Sequence, residues 1–565
     1  MDSSTKSARL AHKLLVLFLL LGIAAGGRAG DAAFSIPEPL AANAAEAVLR
    51  DGGNAVDAAV ATAFVLAVTQ PDAGNIGGGG FMTLFFEGAT RFLDYRETAP
   101  RAATRDMYLD ERGVAMSDAS LIGHRASGVP GTVAGLWEVH RRHGRLAWER
   151  LVAPAIELAL AGYRVPLWMG DLVAESQNEY AGRTNFGTYY RGAKTGALFR
   201  QPELAATLER IAAKGADEFY RGETARLLLA EMERGDGLID AQDLENYRPR
   251  WREPLRAEWR EFEVVTAPPP SSGGLAILQY LRIKDMLRGE FDAVAHNSVR
   301  YVHLKAEIEK RIFADRAEHL GDPDFVTVPV SALLDDAYLR TRAAQVNTEQ
   351  PSATAAVEPW RESAHTTHFS ILDAEGNAVA NTYTLNTDFG SGVVVEGAGF
   401  LLNNEMDDFS AAPGVANFYG VTGKEANAIA PRKRMLSSMA PTLLVRDGQV
   451  AMAVGAMGGS TIFTTVYQLI SNVVEYGMNA TDAQAAPRVH HQLLPDQLIT
   501  YSPSTPLADD VASGLRKLGY RVEPHAWEFG NAQLVWVDAQ GNTSAAADPR
   551  FAGVARVIPG GDAKP

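Results

Sequence analysis

The chain contains no cysteine. That excludes disulfides, thiolate metal sites, a cysteine nucleophile and a lipidated N-terminal cysteine. Positive charge is also scarce: 53 Lys and Arg stand against 68 Asp and Glu, a formal net charge of -15. Such a surface argues against nucleic acid as the main partner. Long apolar runs are missing except at the start, where Leu14 to Ala25 reads "LLVLFLLLGIAA". This is short against the ~20 apolar residues of a spanning helix. With Lys6, Arg9 and Lys13 before it and Gly27 and Ala29 after it, the run reads as a secretory signal peptide over residues 1–29. The expectation is cleavage near Ala29 and export, to the periplasm or the medium, with no stable membrane anchor. Familiar catalytic signatures are absent too: no His-Glu-x-x-His, no Gly-x-Ser-x-Gly elbow, no EF-hand loop. His365 with His368, and His490 with His491, lack an acidic or cysteine partner at ligand spacing, so no metal or other cofactor is expected.

What is present is ordinary globular material: 565 residues, 46% hydrophobic and 21% charged. "AANAAEAVLRDGGNAVDAAVATAFVLAVTQP" reads as two helices, the first ending at Gly52-Gly53 and the second capped by Asn54. The second is apolar almost all round and should be buried against a sheet. Gly77 to Gly80 then lead into a strand at Phe81–Phe86, with another at Arg91–Arg96. No Lys-Ser/Thr follows the glycines, so close backbone approach suits them better than phosphate binding. Helical periodicity dominates from about Ser127 to Phe325, and "APPPSSGGLAILQYL" reads as a rigid turn opening a helix. Residues 340–364 read as an exposed polar connection. Hairpins follow, and Gly458-Gly459-Ser460 opens a helix at about Thr461–Tyr476, a place where backbone N–H groups are available. Helices outside and antiparallel hairpins inside predict a four-layer αββα arrangement.

The connection ends just before "HTTHFSILDAEGNAVANTYTLN", His365 to Asn386. This is a predicted hairpin with Phe369 and Ile371 on one face and a turn at Ala374-Glu375-Gly376-Asn377. Pairing Asp373 with Ala378 sets Thr367 opposite Thr384 and makes Thr366 and Thr384 diagonal neighbours. Threonine is common in strands, which alone could account for the cluster. "NNEMDDFS" (Asn403 to Ser410) by itself reads as a solvated turn or a capped helix start.

Taken in order, "DGGNAVDAAVA", "AGNIGGGGFM", "DYRETAPRAATRDMY", "PPPSSGG", "LGDPDF", "TTHFSILDAEGNAVANTYTLNTDFGSG", "LLNNEMDDFS", "PRKRMLSSMAPT" and "GAMGGS" closely resemble the γ-glutamyltransferase (γ-glutamyl transpeptidase, glutathione hydrolase) family. The resemblance covers essentially the whole chain after the leader. It implies an α+β N-terminal-nucleophile hydrolase fold and a precursor that cuts itself between His365 and Thr366. The products would be a large subunit, 30–365, and a small one, 366–565, that stay associated as a heterodimer. Thr366 would be the nucleophile, its freed α-amine or a bridging water the base, and Thr384 the hydroxyl that orients it. Arg96 would hold the substrate α-carboxylate, helped by Ser437 and Ser438. Asn386, Glu405 and Asp408 would accept from the α-ammonium, with Glu405 standing where some relatives have Gln. Gly458 and Gly459 would donate to the oxyanion. "PGVANFYGVTGKEANAIAP" resembles the lid loop, with Tyr419 as its gate. The implied substrates are a γ-glutamyl donor and water, an amino acid or a dipeptide as acceptor. Two alternatives stand beside this: a cephalosporin (glutaryl) acylase of the same fold, against which Asp408 argues, and a catalytically silent binding protein on the same scaffold.

Overall fold

The computed structural model describes residues 30–116, 118–353, 366–410 and 424–561. The expected leader, His365 and Tyr419 lie outside the described residues. The helix pair forms as expected. Helix α1 (Pro39–Arg50) begins with proline in its first turn, where no N–H is needed. Helix α2 (Ala55–Thr69) is entered through a capping box, in which Asn54 accepts from the Asp57 N–H and Asp57 from the Asn54 N–H. Every residue of α2 is buried.

The two main sheets use thirteen strands, which in chain order are β1 (Ala32–Ile36), β2 (Gly79–Phe86), β3 (Ala89–Asp94), β4 (Arg250–Arg252), β5 (Leu255–Trp259), β6 (Phe262–Thr266), β7 (Thr367–Leu372), β8 (Ala378–Thr384), β9 (Thr442–Arg446), β10 (Gln449–Met457), β11 (Gly530–Val537), β12 (Thr543–Ala547) and β13 (Val554–Ile558). One is seven-stranded, in the order β13-β1-β7-β8-β2-β3-β4, and the other six-stranded, β12-β11-β10-β9-β6-β5. Between them lies an apolar layer that includes Phe85, Leu372 and Ala380 from the first sheet and Val265, Leu443 and Val535 from the second. The outer face of the first sheet, with Phe369 and Ile371, packs on α2 and neighbouring helices. The outer face of the second packs on α3 (Gly273–Met286), α4 (Val299–His319) and α5 (Thr461–Val474). This is the αββα sandwich. Segments from before and after Thr366 contribute strands to both sheets, interleaved in the seven-stranded one, so neither side of that point could complete a sheet alone.

Two expectations need correction. Residues 340–344 are not connection: they complete a helix, Asp336–Ala344. The hairpin register is also shifted by one. Leu372, not Asp373, pairs with Ala378, and Thr367 faces Tyr383. The cause is Asp373, whose carboxylate accepts from the N–H groups of Glu375 and Asn377, both at 2.9 Å, drawing Asp373 into the turn. The shift carries Thr366 to the place directly opposite Thr384.

Candidate active site

Alternation along β7 sends Thr367, Phe369 and Ile371 toward the helices and His368 and Ser370 toward the second sheet. Gly455 of β10 permits that approach, since a Cβ there would lie 2.2 Å from the His368 ring. His368 bonds Thr382 and Ser370, and burial pushes its pKa down to about 3. It is therefore a neutral spacer between the sheets. Thr366, the residue before β7, is 3% exposed, and its hydroxyl lies 3.4 Å from that of Thr384.

Thr384 is fixed from two directions. Its hydroxyl accepts from the Asn386 N–H at 2.8 Å, and its carbonyl accepts from Asn75 Nδ2 at 2.9 Å. Asn75 also receives the Gly78 N–H and the Thr132 hydroxyl. The glycine run answers to the same crowding: a Cβ on Gly78 would sit 2.1 Å from the Thr384 carbonyl oxygen. Asn386 has a left-handed φ of 83° and donates to the Asn404 carbonyl. Asn404 thus joins the hairpin end to the single turn Glu405–Asp408.

That turn meets Arg96, two residues past the end of β3. The guanidinium is 1% exposed, with Nη1 2.6 Å from Glu405 and Nη2 2.5 Å from Asp408. Nη2 also donates to the Leu436 carbonyl at 3.2 Å, which brings Arg96 next to Ser437 and Ser438. The proline-serine turn braces those serines: Ser272 donates to the Ser437 carbonyl through both its N–H and its hydroxyl. Arg316 donates to the Ser438 hydroxyl. Burial opposes the charge on Arg96, but Glu405, Asp408 and Glu97 more than offset it, and the pKa is raised. Glu405 is raised as well, by burial against the pull of Arg96. Neither Glu405 oxygen has a well-directed hydrogen bond among the described residues. Across the sheets, Gly458 (φ 124°) and Gly459 (φ 54°) link β10 to α5. Thr461 donates to the Gly458 carbonyl through both N–H and hydroxyl, which turns the peptide chain sharply at this point.

The structure thus unites Thr366, Thr384 and Asn386 in one corner and Arg96, Glu405, Asp408, Ser437 and Ser438 in the next. Sequence reasoning missed Asn75, Asn404 and Glu97. Asn75 sits inside a motif whose glycines drew the attention. Glu97 follows Arg96 directly, and only its complete burial makes it notable: burial pushes its pKa up to about 7, against the pull of Arg96.

A two-sheet sandwich that buries a threonine where a central strand begins, its hydroxyl against a cross-strand hydroxyl, has the architecture of the N-terminal-nucleophile hydrolases. The family model described as Gamma-glutamyltranspeptidase matches residues 41–558. The chain belongs to the γ-glutamyltranspeptidase family. It is 54% identical over 553 residues to the glutathione hydrolase proenzyme of Pseudomonas aeruginosa, spanning 96% of this chain and 99% of that one. With the glutathione hydrolase proenzyme of Escherichia coli the identity is 43% over 517 residues, covering 89% and 87%. Among solved structures, a γ-glutamyltranspeptidase from Pseudomonas nitroreducens complexed with L-DON matches 56% of this chain and 95% of its own, at 53% identity and a TM-score of 0.56. A cephalosporin acylase from Bacillus halodurans superposes over 94% of this chain and 96% of its own, with a TM-score of 0.81 at 27% identity.

Proposed function

We propose that this protein is a γ-glutamyltransferase and glutathione hydrolase that arms itself by cutting between His365 and Thr366. The observation that carries this is the buried contact of Arg96 with Glu405 and Asp408. A cation and two carboxylates side by side match the α-carboxylate and α-ammonium borne on one carbon of a γ-glutamyl group. Ser437 and Ser438 adjoin the carboxylate position, and Asn386 the ammonium position.

In the precursor, the Thr366 hydroxyl attacks the His365 carbonyl. The peptide C–N bond breaks, an ester forms, and water cleaves it. The freed α-amine, with an ordinary pKa of about 7.7–8.0, is then the base. It takes the hydroxyl proton as Oγ attacks the γ-carbonyl of the donor, and the oxyanion is received by the N–H groups of Gly458 and Gly459. The proton passes to the leaving amine. Water or an acceptor amine then resolves the γ-glutamyl–Thr366 ester. The shared membership of both chain segments in each sheet supports an associated large and small subunit, 30–365 and 366–565, after the cut.

A second reading, glutaryl acylase, is favoured by the acylase neighbours, among them an acylase proenzyme from Pseudomonas sp. at 35% identity. A glutaryl group carries no ammonium for Glu405 and Asp408. Hydrolysis of γ-glutamyl and glutaryl anilides separates the two: faster cleavage of the γ-glutamyl compound is expected, and faster glutaryl cleavage would replace this reading. The small subunit should begin Thr-Thr-His-Phe-Ser. Export belongs to the same proposal. The basic and apolar pattern from Lys6 to Ala29 supports it, and cleavage there leaves the first buried strand, Ala32–Ile36, intact.

A further inference from the structure

We propose that Gln492 and Ser460 are positioning residues for acyl transfer: their buried hydrogen bond holds the Gly458-Gly459 turn in the shape that receives the oxyanion. Their side chains act through the turn and not on the substrate. This rests on the γ-glutamyl reading above, and on the part it gives to the two glycine N–H groups.

The turn needs support from outside itself. β10 passes the start of β7, where Gly455 meets the His368 ring, and three residues later reaches Gly458. Gly458 and Gly459 both have positive φ, 124° and 54°, and neither has a side chain to hold that shape. An oxyanion site works by standing in place before charge develops, so its N–H groups must be held still. Half of the restraint is local. The Gly458 carbonyl accepts from the Thr461 N–H at 2.9 Å and from the Thr461 hydroxyl at 2.7 Å. The peptide unit is planar and trans, so fixing that carbonyl points the Gly459 N–H the opposite way.

The other half comes from a distant segment. Ser460 stands at the N-cap of α5, yet its hydroxyl does not cap the helix. It donates to Gln492 Oε1 at 2.6 Å, thirty-two residues away. The same oxygen accepts from His490 Nε2 at 3.0 Å, and His490 Nδ1 lies 3.0 Å from the Thr464 hydroxyl, one turn further along α5. An amide oxygen accepts and cannot donate, so His490 carries its proton on Nε2. The segment is itself anchored. Val489 donates its N–H to Gln468 Oε1 of α5 at 3.1 Å, and its carbonyl accepts from Lys305 Nζ of α4 at 2.6 Å. Lys305 is paired in turn with Glu309 at 2.7 Å. Ser460, His490, Gln492, Lys305 and Glu309 are all buried. In such a network each bond is stronger than in water, and each break leaves an unpaired group behind. The glycine turn therefore takes its shape from the packing of α4 and α5, delivered through Gln492.

The test is hydrolysis of a γ-glutamyl anilide by the matured protein, with kcat counted per small subunit. Ser460→Ala and Gln492→Met each remove the bond and nearly keep the volume. Either should lower kcat by about 10- to 100-fold, as a shifted oxyanion donor does. Glutamate fills the charged corner without forming an oxyanion, so its inhibition constant should stay within about 2-fold of the parent's. The double variant should lose no more than the worse single one, because both changes break the same bond. An unchanged kcat, an inhibition constant that rises in step with the fall in kcat, or losses that multiply in the double variant would overturn the proposal. A parent protein that cleaves glutaryl but not γ-glutamyl anilide would instead overturn the functional reading on which it rests.

Discussion

The threonine corner and the charged corner are neighbours built by different means. Thr366 and Thr384 belong to one hairpin, eighteen residues apart, and strand register alone brings them together. The groups there are neutral hydroxyls and backbone amides. Arg96, Glu405 and Asp408 come from segments more than three hundred residues apart, and their contact is ionic and buried. A hairpin can hold a hydroxyl to a fraction of an ångström because a slip would turn every side chain to the wrong face. A buried ion pair depends on all its members, since removing one leaves the others desolvated and uncompensated. Substitutions in the first corner should therefore strike the reaction itself, and substitutions in the second should strike the choice and binding of substrate.

The largest effect tests the first half of that contrast. Thr366→Ala should give a single uncut chain on a denaturing gel and lower γ-glutamyl hydrolysis by about 10⁴-fold or more, as loss of a nucleophile does. A variant that still splits and turns over would return these threonines to ordinary strand residues. Next, Asp408→Asn should mature normally and weaken γ-glutamyl turnover by about 2–5 kcal/mol, the cost of breaking a buried charge pair. Glutaryl anilide, without an ammonium, should lose little. Equal losses on the two substrates would mean that Asp408 serves Arg96 and does not read the ammonium. Arg96→Lys keeps the charge but not the fork that spans Glu405 and Asp408, so the donor KM should rise by about 10- to 100-fold with self-cleavage unaffected. Failure to mature would merge the two corners into one structural unit.

The same contrast decided what could be read from the sequence. Local patterns were legible: the Asn54 cap, the helix opening after "PPPSSGG", the hairpin, and glycines that serve close approach. The hairpin register was missed by one residue because the Asp373 side chain bonds the turn, an interaction invisible to the alternation of apolar residues. The ion pairs at Arg96 have no local signature at all. They were reachable only through the family's motifs, since nothing in spacing joins position 96 to positions 405 and 408. Asn75 and Glu97 escaped for the same reason: their partners, the Thr384 carbonyl and the Arg96 environment, are supplied by tertiary packing.

Glu97 gives the smallest effect and the finest test of the charged corner. Its carboxyl is fully buried, and its nearer oxygen is 3.6 Å from Arg96 Nη1, beyond hydrogen-bond reach. Burial raises its pKa and the attraction of Arg96 offsets only part of that, leaving it raised from 4.5 to about 7. The folded protein therefore holds a proton here that the unfolded chain has already released. The stability this contributes is complete below about pH 4.5 and is lost as pH rises through about 7, where the buried group is forced to ionise. Glu97→Gln keeps the shape and cannot ionise. The melting temperature of the variant minus that of the parent should therefore increase from pH 5 to pH 8 and level off above it, by about 1–3 °C in a chain this large. Arg96 keeps Glu405 and Asp408, so donor binding should change far less than in Arg96→Lys. A difference that falls with pH would mean that Glu97 is stabilised as an anion, and that all three carboxylates around Arg96 are ionised together.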